Sequence, residues 1–421
     1  MEKLSGGLFV EDMTSAERVR AERVETVLPA LREAAAAADA NGEFYLPHIK
    51  TLRDAGLLGM IVPETYGGLG GGLRDLAATT FAMATACPST ALAYFFHCSS
   101  ASRGLLPLEA IEAGLFSAEE IPKVRDFAEK VLTKMGREGL WLANFASESV
   151  KSSTSAVFIS TTATPTAGGW LLNGIKSFGC ATGVANEYLV TAKIAGIDSA
   201  DGIALFFVGR AAEGISERQK WDALGMRATA THGIILKDVF VKDTDALAIP
   251  GAFVRMLQMS RGSFVGNQLA GIACYLGAAQ RVYDYALEFT TNMKFRDTGK
   301  AIATSPFHQE LLGKMTVDLE TAYLWLRRQL ELETADPPIL PKQRVVLQWR
   351  MCKGEVCEAA ERIALNALKA CGTSNTGNSG VIARSVRDIT MGLVQAFPAE
   401  RGRLEAAKMV VEAKEQTLFG V

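Results

Sequence analysis

The chain has 421 residues, of which 48% are hydrophobic and 21% are charged. A single hydrophobic core stops growing well below this length, so we expect two or three domains. The formal net charge of -2 at pH 7 gives no electrostatic reason to expect nucleic acid or an anionic membrane as a partner.

The amino-terminal residues and the cysteines bear on the compartment. The first residues, MEKLSGGLFVEDM, lack the basic and apolar regions of a secretory signal. No apolar run approaches the roughly 20 residues that a membrane span needs. The seven cysteines are scattered without a disulfide framework, so we expect reduced thiols in a cytoplasmic protein. The four histidines are scattered as well, and we expect no metal site.

The first third of the chain shows helical periodicity. Residues 16–40 and Pro47–Asp54 are predicted to be helices, and further helices follow over residues 73–135 with breaks at prolines. The glycine-rich run at residues 67–72 has the composition of a nucleotide-binding loop. Because no strand precedes it, we interpret it as a tight loop between two helices.

One histidine in this helical part is a candidate functional residue. His97 lies in the run ALAYFFHCSSASRGLL, on an apolar helix. A lone histidine in such a place is usually a packed residue with one satisfied nitrogen. The nearby Ser99, Ser100 and Ser102 indicate a polar lining, so a catalytic role for His97 stays open.

The pattern changes between residues 140 and 248. Short runs rich in β-branched and aromatic residues alternate with Gly, Asn and Asp, as in TSAVFISTTA, GGWLLNG, EYLVTAKIA, GIALFFVG and GIILKDVFV. Strands of this length with close turns predict an antiparallel sandwich or barrel-like unit. No helix-length segment separates them, which disfavours a doubly wound parallel sheet.

Helical periodicity returns from about residue 251 and continues to the end. Four antiparallel helices are predicted, with a break at ADPPILP and a bend at Pro398, and they would form a bundle. The first of them is rich in Gly and Ala, which permit close helix contacts. The predicted fold is therefore α+β and mainly α, with domains at residues 1–138 (helical), 139–248 (β) and 249–421 (helical bundle).

Five phrases stand in the same order, and at compatible spacing, as in one known family. They are LRDAGLLGMIVPETYGGLGG, SES…TSAV, WLLNGIK…ATGVANEYLVTAK, LGMRATATHGIILKDVFV and RSVRD. Over nearly its whole length the chain resembles the acyl-CoA dehydrogenase superfamily. The resemblance implies the same three-domain fold, FAD as cofactor, and a homodimer or homotetramer that binds FAD across a subunit interface.

The resemblance assigns roles to individual residues. It places Ser147, Ser153, Phe178 and Cys180 against the cofactor, with Cys180 standing where the family usually has a threonine. It implies contacts with the FAD of a neighbouring subunit for Gln309, Gly372 and Thr373, and a contact with the pyrophosphate for Lys294 or Arg296. It places Arg261 near the tail of a CoA substrate. Each residue also has an ordinary alternative as a strand or helix cap, a core residue or a solvated charge.

A dehydrogenase of this kind needs a carboxylate to remove the proton alpha to the thioester carbonyl. The two usual positions for this base correspond to Ala396 and Ser260, and neither is a carboxylate. If residues 396–399 are an insertion, Glu400 falls at the base position. The alternative for Glu400 is a capping or ion-paired residue at the start of the last helix.

Three functions follow from the resemblance. The first is an FAD-dependent oxidoreductase that acts on an acyl group linked to CoA or to an acyl-carrier protein. The second is a monooxygenase or oxygenase of the same fold, which uses O2 through a flavin hydroperoxide and needs no alpha-proton base. In this second case His97 and Ser147 would be polar groups near the flavin. The third is a chain that has lost catalysis and binds acyl thioesters or a sister subunit.

Overall fold

A computed structural model describes residues 12–149, 159–262, 268–395 and 398–412. Within these residues, six helices come first, eight strands of one sheet follow, and six further helices come last. This order confirms the predicted α+β fold, with a β domain between two helical blocks.

The amino-terminal helices begin and end where local chemistry predicts. Thr14 and Glu17 form a capping box at the start of the first helix. The glycine run at residues 67–72 is a tight loop, in which the Gly71 N–H bonds back to the Met60 carbonyl. The described helices of this part are α1 (Ser15–Asn41), α2 (Pro47–Asp54), α3 (Leu73–Ala84), α4 (Pro88–Ser99), α5 (Ser102–Glu112) and α6 (Ile121–Met135).

The sheet is mainly antiparallel, as predicted, but contains two parallel pairs. Its described strands are β1 (Leu142–Phe145), β2 (Thr162–Thr166), β3 (Gly169–Lys176), β4 (Glu187–Ile194), β5 (Ile203–Gly209), β6 (Ile215–Glu217), β7 (Ile234–Lys242) and β8 (Ala246–Leu247). They run in the order β6-β7-β3-β2-β4-β5-β8, and β1 and β2 both pair in parallel with β4. The β2–β3 hairpin is inserted between β1 and β4, which makes the parallel pairing possible.

The last helices form the predicted bundle. They are α7 (Ala252–Leu257), α8 (Gln268–Asn292), α9 (Pro306–Thr334), α10 (Lys342–Cys371), α11 (Val381–Thr390) and α12 (Ala399–Glu412). Helices α8, α9 and α10 run antiparallel, because pairs of contacts progress in opposite directions along neighbouring helices. Between α8 and α9 these are Tyr283–Thr316 and Gln280–Tyr323, and between α10 and α9 they are Arg362–Asp318 and Cys352–Trp325. The fourth position is shared by α11 and α12, because the chain leaves the helix after Thr390, earlier than the predicted bend at Pro398.

Helix α8 joins the two helical blocks through its small residues. A Cβ on Gly277 would lie 2.2 Å from the carbonyl oxygen of Phe81 on α3, and one on Gly271 would lie 2.7 Å from the ring of Phe95 on α4. The predicted close helix contacts are therefore confirmed. Among the described residues, no helix has the length and apolar character that crossing a membrane requires. All seven cysteines are free and buried.

Candidate functional site

The segment that follows β3 presents an exposed aromatic side chain. Phe178 is 51% exposed, and the edge of its ring meets Trp221 with ring centroids 6.0 Å apart. The next residue must be glycine, because a Cβ on Gly179 would lie 2.2 Å from the ring of Phe145. An exposed pair of aromatic rings beside a sheet is a surface on which a flat conjugated ring can stack.

Cys180 lies next to this aromatic surface and is bonded to a threonine from another segment. Thr231 Oγ1 donates to Cys180 Sγ at 3.2 Å, and the Thr229 and Thr231 hydroxyls are 2.7 Å apart. Burial raises the pKa of Cys180 to about 12, although the hydrogen bond from Thr231 works in the other direction. At neutral pH the side chain is therefore a protonated thiol, which is a weak donor.

Three residues around this contact have left-handed backbone although none is glycine. They are Ala181 (φ 62°), Met226 (φ 51°) and Ala230 (φ 48°). Each costs on the order of 1 kcal/mol, and such strain persists only where the surrounding structure imposes it. Strained residues concentrate at functional sites, so their clustering beside Cys180 supports a site here.

Helix α11 contacts the loop at residues 218–233, which carries the strained residues Met226 and Ala230. Asp388 accepts a 2.6 Å hydrogen bond from the Met226 N–H, and a Cβ on Gly225 would lie 2.0 Å from the Arg387 carbonyl oxygen. Burial raises the pKa of Asp388 to about 7. The nearby Asp39 carboxylate also raises it, whereas the hydrogen bond from the Met226 N–H lowers it. The RSVRD phrase therefore anchors the loop at residues 218–233.

A buried ion pair lies where β3 ends. Lys176 Nζ is 2.6 Å from Glu148 Oε1, and both side chains are inaccessible to solvent. Glu148 also accepts the N–H and hydroxyl groups of Ser160 and Thr161. Burial alone would raise the pKa of Glu148, but the charge of Lys176 and these hydrogen bonds hold it at about 2. The pair and its hydrogen bonds therefore link three segments of the β domain: the segment with Glu148, residues 160–161, and the end of β3.

Ser147 belongs to the same region, and Ser153 does not enter the description. The Ser147 carbonyl accepts the Ser177 N–H at 2.9 Å, which places it beside Phe178, and its side chain is exposed. Ser153 lies outside the described residues. The structure thus brings together Ser147, Phe178 and Cys180, and adds Trp221 and Thr231; we call these five residues the candidate flavin site.

His97 has a structural environment. Its ring is fully buried, Nε2 bonds the Leu58 carbonyl at 2.8 Å, and Nδ1 accepts the Leu142 N–H at 3.0 Å. Burial lowers the pKa of His97 to about 4, so the ring is neutral at physiological pH. Both nitrogens are used to join α4 to neighbouring backbone, which is the packed arrangement expected of a lone histidine on an apolar helix.

Glu400 does not have the environment of a buried base. It lies in the first turn of α12 with 73% of its side chain exposed, and Arg403 bonds it at 3.2 Å. Arg403 also pairs with Glu358 on α10 at 2.8 Å. This agrees with the alternative of an ion-paired residue at a helix start, whereas proton abstraction requires a desolvated carboxylate. Ala396 lies outside the described residues.

The second set of predicted cofactor residues lies at one end of the bundle. The end of α8, the start of α9 and the end of α10 meet there, and all five residues are exposed: Lys294, Arg296, Gln309, Gly372 and Thr373. Their contact with a bound FAD stays a prediction.

Arg261 is fixed by the connection between α9 and α10. Its guanidinium donates to the Ala335 carbonyl at 2.5 Å and lies 4.0 Å from Asp336. Residues 263–267, which follow it, are outside the described part of the chain. Its contact with a substrate tail stays a prediction.

The sequence analysis did not single out Trp221, Thr231 or the Glu148–Lys176 pair. Thr231 lies inside the phrase LGMRATATHGIILKDVFV, which resembles the family, but nothing local in the sequence marks it as a site residue. No local pattern signals the pair, because its two members are 28 residues apart on different segments.

Comparisons with known proteins agree with the fold. The N-terminal, middle and C-terminal domains of acyl-CoA dehydrogenases match residues 14–107, 143–239 and 270–397. A putative acyl-CoA dehydrogenase, YdbM of Bacillus subtilis, is 25% identical over 92% of this chain and 94% of its own length. Dibenzothiophene monooxygenase of Rhodococcus qingshengii is 27% identical, and the match covers 64% of this chain and 63% of that protein.

A solved structure is similar over its full length. KijD3 in complex with FMN and dTDP-3-amino-2,3,6-trideoxy-4-keto-3-methyl-D-glucose superposes with a TM-score of 0.78 at 25% identity, covering 98% of both chains. The three matching domains account for most of the sequence, and they match in the order that the structure shows. The chain therefore belongs to the acyl-CoA dehydrogenase family.

Proposed function

We propose that this protein is a flavin-dependent monooxygenase. The observation that carries the proposal is the environment of Glu400, which is exposed and paired with Arg403. The base of an alpha-proton abstraction must be desolvated and within hydrogen-bond reach of the substrate. The two other positions for this base are Ala396 and Ser260, whose side chains cannot serve as a carboxylate.

Three carboxylates around the candidate flavin site have other partners. Glu148 is bonded to Lys176, and Asp388 to the Met226 N–H. Asp222 pairs with Arg227 at 3.2 Å. A reaction that needs no carboxylate base is compatible with this arrangement.

The residues present fit a flavin. The exposed ring of Phe178 and the edge of Trp221 offer a surface for stacking, and Cys180 and Thr231 place polar atoms beside it. The similarity to a structure with bound FMN and to a dibenzothiophene monooxygenase supports the same assignment. A bound flavin, once reduced, would supply the electrons that activate O2.

The chain's own residues would position this flavin. Phe178 would stack on the ring system, and the Cys180 thiol, which keeps its proton at neutral pH, would donate a weak hydrogen bond to it. Thr231 fixes the orientation of Cys180 Sγ. The Glu148–Lys176 pair holds the segments that carry Ser147 and Phe178.

A second candidate function is dehydrogenation of an acyl thioester. It is supported by the likeness to a putative acyl-CoA dehydrogenase over 92% of this chain. In that reaction Arg261 would bind the CoA or carrier tail. The flavin would then be FAD, whose diphosphate reaches a neighbouring subunit at the bundle end with Lys294, Arg296, Gln309, Gly372 and Thr373. A homodimer or homotetramer is part of this proposal.

Three measurements separate these functions. The purified protein is loaded with FAD or with FMN, and the flavin that it retains is identified by mass spectrometry after release. Anaerobic mixing with acyl-CoAs from acetyl to palmitoyl should leave the flavin spectrum unchanged, because a monooxygenase does not remove an alpha proton from them. The photoreduced enzyme should consume O2 and transfer one 18O atom to an aromatic thioether such as dibenzothiophene.

Bleaching of the flavin by any acyl-CoA would overturn the monooxygenase assignment in favour of dehydrogenation. The variant Glu400→Gln is the control, since it should not alter either result. A protein that retains neither FAD nor FMN would contradict both functions and support a binding role.

A further inference from the structure

A cavity separate from the candidate flavin site lies where the amino-terminal helices meet the bundle. Its volume is about 370 Å³, and its walls come from α1, the turn between α3 and α4, α8 and the start of α11. This volume is within the range of small-molecule sites. None of the five residues of the candidate flavin site lines it.

Three arginines line this cavity from three different helices. Arg32 comes from α1, Arg281 from α8 and Arg384 from α11. No carboxylate is among the described residues of the wall, and within the described part of the chain none of the three arginines forms an ion pair. Their only hydrogen bond there is a long one, 3.5 Å from Arg384 to the Ser379 carbonyl.

This absence of ion pairs is unlike the neighbouring arginines. Arg387, one turn from Arg384, pairs with Asp39, and Arg20 on α1 pairs with Asp75 at 2.7 Å. The buried Asp388 acts on Arg384 through its charge, but it does not line the cavity. Three like charges around one cavity favour a negatively charged occupant.

Two helix starts add to the positive potential. Helix α4 begins at Pro88 and α11 begins beside Gly380, and both residues lie in the cavity wall. No side chain caps the start of α11, so its first N–H groups remain available to a ligand. The amino ends of helices carry partial positive charge and bind phosphate groups in many proteins.

We propose that this cavity binds a phosphate or diphosphate group. Arg281 and Arg384 would bind the anion at the start of α11, and Arg32 would contact it from α1. Tyr285 also lines the cavity. The proposal concerns neither the flavin nor the reaction, so it stands or falls independently of the proposed function. The phosphate could belong to a nucleotide or be inorganic, and the experiment below distinguishes these sources.

The test is isothermal titration calorimetry of the full-length, flavin-loaded protein at low ionic strength. The ligands are inorganic phosphate, pyrophosphate and ADP. The double variant Arg281→Gln/Arg384→Gln should weaken binding by about tenfold or more, because hydrogen bonds to charged groups are the strong ones. Arg125→Gln is the matched control, since Arg125 is exposed on α6 and does not line the cavity.

The outcomes are distinct. Tighter binding of ADP than of phosphate assigns the site to a nucleotide, and equal binding of the three assigns it to free phosphate. No binding of any ligand, or equal affinity in the double variant, overturns the proposal. So does loss of flavin from the double variant after gel filtration, because the arginines would then serve the flavin. Should the double variant unfold, Arg32→Gln gives the same test, since Arg32 is exposed on α1.

Discussion

Replacing Lys176 with methionine removes the cation next to the candidate flavin site and keeps a side chain of similar length. Glu148 would retain its bonds from Ser160 and Thr161, but it would lose the charge that lies 2.6 Å from its Oε1. The carboxylate stays buried in the variant. The change therefore tests how much the site depends on this pair.

The structure gives the size and the pH dependence of the effect. Removing one member of a buried ion pair costs about 3–5 kcal/mol, and we expect the lower end because neutral donors remain on Glu148. Its pKa is about 2 in the folded protein, below the ordinary 4.5, so ionised Glu148 stabilises the fold above pH 4.5 and this contribution is lost toward pH 2. In Lys176→Met the pKa of Glu148 rises. The difference between the two proteins should then shrink from pH 4.5 to pH 2.

Urea unfolding followed by tryptophan fluorescence at pH 7.5 and pH 3.5 measures this difference. Lys193→Met is the matched control, because Lys193 pairs with a fully exposed Asp198 and should contribute little. The dissociation constant for flavin should rise in Lys176→Met and stay constant in the control. An unchanged unfolding midpoint at pH 7.5 would refute the view that Lys176 stabilises the buried carboxylate.

Three further variants test single contacts. Asp388→Asn keeps an acceptor for the Met226 N–H but cannot ionise. Because the pKa of Asp388 is raised to about 7 in the folded protein, ionising it destabilises the fold, and wild-type stability falls as the pH rises from 4 to 7. The thermal stability of Asp388→Asn relative to wild type should therefore rise over that range, and a constant difference would contradict the raised pKa. His97→Phe should lower the unfolding free energy by about 2–4 kcal/mol, from two lost backbone bonds, and leave turnover per bound flavin unchanged. Glu400→Gln should leave turnover unchanged at every pH, and a large loss would restore it as a base.

The helices and strands were predictable because their signals are local. The capping box of Thr14 and Glu17 and the alternation in GGWLLNG can be read from a few neighbouring residues. The parallel pairing of β1 and β2 with β4 could not be predicted, because it depends on where a hairpin is inserted. Local periodicity carries no information about such distant partners.

The candidate site was predictable only along one segment. Ser147, Phe178 and Cys180 were identified from the resemblance, and the structure brings them together. Asp388 and Met226 are 162 residues apart, and their hydrogen bond depends on the docking of α11. The two backbone partners of His97 could not be predicted, because its burial between two backbone segments is a property of the folded protein.

The glycine contacts that join α8 to α3 and α4 also limit how the domains can move. Hinge or shear motion requires packed faces that can slide. Moving α8 by one residue would place a side chain where Gly277 now meets the Phe81 carbonyl. The amino-terminal helices and the bundle therefore move as one body. Any motion that admits a substrate must then leave this interface intact.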